Sequence, residues 1–70
     1  MLVSTLLDPS LLRYVPKRLV SHVVEAYRDS DGIWIHGDDS FCGPCGYHSL
    51  HCYTVSELRD ELRSTTVVGG

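Results

Sequence analysis

All three cysteines of this 70-residue chain, and three of its four histidines, lie between His36 and Cys52. The segment runs His-Gly-Asp-Asp-Ser-Phe-Cys-Gly-Pro-Cys-Gly-Tyr-His-Ser-Leu-His-Cys. Thiolate and imidazole are the ligands that tetrahedral zinc takes, and four of them close a structural site. Cys42 and Cys45 are separated only by Gly43-Pro44, so both sulfurs can turn toward one ion, and Gly46 permits the backbone turn behind them. His36, His48, His51 and Cys52 supply four further donors, of which zinc needs two. One structural zinc ion is therefore the expected cofactor. With four protein ligands no coordination position stays open, so catalysis by the metal is not expected.

The fourth ligand depends on the conformation of residues 47–53. As a strand paired with residues 33–36, this segment sets Cys52 about 13 Å along from His48, too far to share an ion. His36 and His48 then lie near the loop, and the set is Cys42, Cys45, His48 and His36. As the start of a helix, it brings His48 and Cys52 to within about 6 Å of each other, and Cys52 replaces His36. Cys42, Cys45 and His48 belong to both sets. His51 faces away from His48 in a strand and adjoins it only loosely in a helix, so it is expected at the surface or behind a ligand rather than on the metal. Asp38 or Asp39 could accept a hydrogen bond from a ligand imidazole, although two solvated loop aspartates are the simpler expectation.

Cys-x-x-Cys-Gly resembles the zinc knuckle of ribbon and treble-clef fingers. Cys-Gly-Pro-Cys, following the strand-like Ile33-Trp34-Ile35, also resembles the active-site motif of thioredoxins. That resemblance implies an alternative function, a dithiol oxidoreductase. Cys42 would be the attacking thiolate at a helix N-terminus, and Cys45 the resolving thiol. The chain departs from that family in having Phe41 before Cys42 and no proline after Pro44. Ser40 to His48 is similar to the nucleophile segment of papain-like and OTU-type viral cysteine proteases, but no histidine follows Cys52. Gly32, Trp34, His36 and Cys42 form a pattern that resembles short actinobacterial and phage proteins. A small inhibitor or adaptor of phage type is what that resemblance implies.

The elements that must hold this segment read as a small α+β domain spanning residues 1–70: two N-terminal helices within 1–31, a hairpin or knuckle at 32–53, a C-terminal helix at 54–64 and a flexible end at 65–70. Asp8 caps a first helix with Pro9 at its first position, and Pro16 ends or kinks it. Leu11, Leu12 and Val15 face inward. From Pro16 to Asp29 the apolar residues Leu19, Val20, Val23, Val24 and Tyr27 fall within an arc of about 140° at 100° per residue, which predicts an amphipathic helix. His22 then points to solvent, and Ser30-Asp31-Gly32 ends the helix. Gly32 to His36 is β-branched and aromatic, a strand with Ile33 and Ile35 on one face and Trp34 and His36 on the other. Thr54 with Glu57 three residues on makes a capping box, and Val55, Leu58 and Leu62 the buried stripe behind it. Thr65 onward is a β-prone piece, and the terminal Gly69-Gly70 reads as a fraying end.

Size and charge bound the function. A chain this short buries only about 60% of its unfolded surface, so a staple is useful to it. Three cysteines leave an odd thiol in any disulfide scheme. The start lacks a basic n-region, and no apolar run approaches the roughly 20 residues that span a bilayer, so no membrane partner and a reducing, cytoplasmic setting are expected. Nine acids against six bases give −3, which disfavours general nucleic-acid binding. A local patch of Arg13, Lys17 and Arg18 keeps a nucleic-acid-binding regulator as a second alternative. The expected function is a non-enzymatic, zinc-stabilised module that works through a protein partner.

Overall fold

A computed structural model describes residues 6–44, 46 and 48–68 of the chain. Two one-turn helices, α1 (Pro9–Leu12) and α2 (Lys17–Val20), open it. They are followed by strands β1 (Val23–Asp29), β2 (Gly32–Gly37), β3 (Phe41–Cys42) and β4 (Ser49–Cys52). Helix α3 (Val55–Ser64) and strand β5 (Thr66–Val67) close it. The architecture is small, mixed α+β, with short helices, an antiparallel hairpin and a C-terminal helix.

Helix α1 starts where its residues dictate. The Asp8 carboxylate accepts the Ser10 N–H at 2.9 Å, and Pro9 loses no hydrogen bond at the first position, where the N–H would be unpaired anyway. Helix α3 is capped by Thr54, whose hydroxyl accepts the Glu57 N–H at 3.1 Å. Glu57 reaches back to the Tyr53 N–H, also at 3.1 Å. Leu58 and Leu62 lie one turn apart on the buried side of α3, each stabilising by roughly 1.5–3 kcal/mol on removal from water. Arg18 of α2 donates to the Thr65 carbonyl at the end of α3 (2.6 Å), where a cation suits the helix dipole.

The expected helix over Pro16–Asp29 is corrected: only Lys17–Val20 is helical, and Val23–Asp29 is strand β1. The N-terminal part is therefore not helical through residue 31. Val23, Val24 and Tyr27 satisfy a helical stripe, but they are also β-branched and aromatic. Ser30-Asp31, which reads as a helix stop, is equally the two-residue loop of a hairpin, and it joins Asp29 to its partner Gly32. Once β2 lies alongside, β1 pairs with it from Val23 to Asp29, with a bulge between Val23 and Glu25.

The main sheet has the order β1-β2-β4, antiparallel throughout, with Tyr27 opposite Trp34, and Trp34 in turn opposite His51. Residues Leu6 to Asp8 run parallel along the outer edge of β1, bonded to both backbone groups of Ala26. Ala26, Ile33, Ile35, Leu50 and Cys52 point to the core, where they meet Leu11, Leu19, Phe41, Leu58 and Leu62. The β-prone piece at the end is strand β5, which pairs with β3 in a second, two-stranded sheet. Phe41 packs so closely on Gly37 that any side chain at Gly37 would overlap its ring. Gly69 and Gly70 lie outside the described residues.

Candidate functional site

Residues 49–52 are strand, so of the two geometries considered for the ligand cluster the strand one applies. Strand β3 delivers Cys42, half-buried, to the loop, where its thiol lies 3.8 Å from the Gly43 carbonyl. Gly46 turns the backbone with φ 80°, a conformation that glycine adopts without strain. His48 leads into β4, and its carbonyl accepts the Gly37 N–H at 2.6 Å. Its ring Nδ1 lies 2.8 Å from the Phe41 carbonyl. A carbonyl only accepts, so Nδ1 carries the proton and Nε2 is the ring nitrogen left to ligate. Cys45 lies outside the described residues.

The other expected ligands stand elsewhere. His36 is on the outer face of β2, with Nδ1 2.8 Å from the Ser49 hydroxyl and Nε2 3.2 Å from the Tyr27 hydroxyl. Either nitrogen must give up a hydrogen bond to take a metal. Cys52 sits at the far end of β4 from His48 and faces the core, fully buried. Burial, with the Glu57 and Glu61 carboxylates adding to it, pushes its thiol up to about 11. Among the described residues no three histidine, cysteine or acidic side chains converge on one point. Cys42 closes a strand and no helix begins at 43, 44, 46 or 48, so the helix N-terminus that the thioredoxin resemblance implies is not at this thiol.

His22, expected in solvent, is corrected as well. Its Nδ1 pairs with the Asp38 carboxylate at 3.1 Å, tying the end of α2 to the β2–β3 turn. Burial alone would raise the Asp38 carboxyl, but the Ser40 N–H and the His22 ring outweigh it and hold the group below its ordinary value. Asp38 thus serves a histidine outside the expected ligand set, and Asp39 is exposed.

What the fold does bring together is a row of rings on the sheet face away from the core. The Tyr27 and His36 rings are 5.6 Å apart, His36 and Trp34 6.0 Å, Trp34 and His51 4.2 Å, and His51 meets Tyr53 edge-on at 4.8 Å. The row crosses all three strands and continues past the end of β4. His51 is fixed by its Nε2–H, which donates to the Asp31 carbonyl at 2.7 Å. Trp34 is fixed by its Nε1–H, which reaches the Asp29 carboxylate at 3.3 Å. Tyr53 at the end of the row is 72% exposed. Beside it, a cleft of about 320 Å³ opens between the β1–β2 turn and the start of α3. Period-2 alternation in β2 already places Trp34 and His36 together. Tyr27, His51 and Tyr53 join them only through strand pairing and the exit from β4.

No protein family, curated protein or solved structure matches this chain.

Proposed function

We propose that this chain is a small protein-binding module that docks its partner on the outer face of the β1-β2-β4 sheet. The observation that carries this reading is the continuous row Tyr27–His36–Trp34–His51–Tyr53. The solvated face of an antiparallel sheet is ordinarily polar. Large rings left partly open to water are what protein interfaces bury, because they offer wide contact area and lose few rotamers on binding. The experiment is site-specific photo-crosslinking from Ser49, exposed on the same face, in extract of the native host. Trp34→Ala and Tyr53→Ala should abolish a discrete cross-link that Arg63→Ala preserves. A cross-link indifferent to both ring substitutions ends this reading.

A metal staple is a second reading, supported by the His48 ring. An imidazole whose Nδ1–H is held by a carbonyl is oriented to ligate through Nε2, and the carbonyl belongs to the residue before Cys42. In this reading Cys42, Cys45 and His48, with His36 as fourth ligand, hold one zinc ion. Such a site contributes apparent folding free energy of roughly 10–16 kcal/mol. Elemental analysis of reduced protein should give one equivalent of zinc, and chelation should collapse the far-UV spectrum. A metal-free chain that stays folded rules the staple out.

A further inference from the structure

We infer that the segment docked on the ring face is cationic and enters through arginine side chains at the Trp34–Tyr53 end; this rests on the docking reading above. The strand register sorts the charges. Outward with the rings point Glu25, opposite His36, and Asp29, opposite Gly32. No lysine or arginine occupies an outward position on β1, β2 or β4. Arg28 alternates to the other side of β1, next to Asp8. The face is thus aromatic and anionic together. That combination favours a guanidinium, which stacks flat on a ring and bonds a carboxylate through its fork.

The receiving end is already shaped. Asp29 holds its carboxylate at the edge of the Trp34 indole, and Tyr53 stands beyond it. The cleft beside them is lined by Asp29 and Asp31, by Ile33 from the core face, and by Tyr53, Thr54 and Val55. Arg28 reaches the same cleft, leaving two carboxylates against one guanidinium there. A volume of about 320 Å³ lies at the small end of ligand sites, suited to one long side chain rather than a folded cofactor. Nucleic acid fits poorly, because stacking platforms for bases are bordered by cations that neutralise phosphate. Here Arg13, Lys17 and Arg18 belong to the α1–α2 region instead. A second copy fits poorly too, since face-to-face pairing would set Glu25 and Asp29 against their own kind.

The test is fluorescence anisotropy with a labelled peptide of alternating arginine and glycine, beside matched aspartate–glycine and serine–glycine peptides, at two salt concentrations. The arginine peptide should bind, and Tyr53→Ala, Trp34→Ala and Asp29→Asn should each weaken it by about fivefold, the scale of a single cation–ring or exposed charge contact. Asp60→Asn removes the same charge from the exposed side of α3 and should leave binding within a factor of about two. If Trp34→Ala fails to fold, the exposed Tyr53→Ala carries the ring test alone. Absence of binding at millimolar peptide, or equal losses from Asp60→Asn and Asp29→Asn, overturns the inference. Tighter binding of the neutral or acidic peptide, sensitive to Tyr53→Ala, also overturns it but leaves the docking face standing. Self-association abolished by Tyr53→Ala would replace the cationic partner with a second copy.

Discussion

Trp34 and His51 stack across the β2–β4 pair with ring centroids 4.2 Å apart and planes 24° from parallel. Each ring is also held at its polar edge, Trp34 by the Asp29 carboxylate and His51 by the Asp31 carbonyl. Both anchors come from the β1–β2 hairpin end. The stack therefore couples the register of all three strands to a single patch of surface. Rings so anchored are pre-organised for binding, which spares the ordering cost that mobile side chains incur.

Trp34→Ala should destabilise the fold by about 1 kcal/mol, because it removes a cross-strand aromatic pair and a side-chain hydrogen bond from a half-open face. Urea denaturation checks this, with the slope against denaturant unchanged. Trp34→Phe should recover part of the loss, since it restores stacking but not the bond to Asp29.

Gly32→Ala should cost more, about 1–3 kcal/mol. Gly32 has φ 131°, which L side chains rarely adopt, and a Cβ there would come within 2.5 Å of the Cys52 carbonyl oxygen. Thermal unfolding measures the loss. Gly46 also has positive φ, but open space surrounds it, so Gly46→Asn should be milder.

Cys52 should resist alkylation in the native protein while half-buried Cys42 reacts, and denaturant should expose both. Mass-spectrometric labelling distinguishes them. The raised thiol also makes stability depend on alkaline pH. The folded state holds the proton more tightly than the unfolded state, whose thiol titrates near 9.0. Stability from this group is complete below that value and falls as pH rises toward about 11. Cys52→Val should flatten that decline.

Asp38 predicts the opposite dependence. Its carboxyl lies below the ordinary 3.8, so its contribution is present above that pH and is lost as pH falls through the folded value. A carboxyl-carbon NMR titration should show the lowered midpoint. His22→Ala should move it upward by removing one of the partners that hold it down.

Thr54→Ala should destabilise helix α3 by about 1 kcal/mol, as the Glu57 N–H loses its cap. Thr54→Ser should be nearly neutral. Chemical denaturation of the pair separates the lost hydrogen bond from any effect of side-chain size.

Features that depend on near neighbours in the chain were legible from the residues alone. Asp8-Pro9 starts a helix, Thr54 and Glu57 start another, and alternation in Ile33 to His36 sorts core from surface, because caps and strand faces are set within three or four residues. The α+β class follows from these. What the residues left open is what β1 became: Val23, Val24 and Tyr27 fit a helical stripe and a strand equally. Only the hairpin partner, joined through Ser30-Asp31, selected the strand by pairing along it and extending its core face with Ile33 and Ile35. The same pairing drew Tyr27 and His51 to either side of Trp34, turned Cys52 into the core and occupied both nitrogens of His36. The crowded His36–Cys52 segment reads as one cluster along the chain. The sheet divides it between a loop, a core and an open face, because neighbouring residues on a strand point to opposite sides.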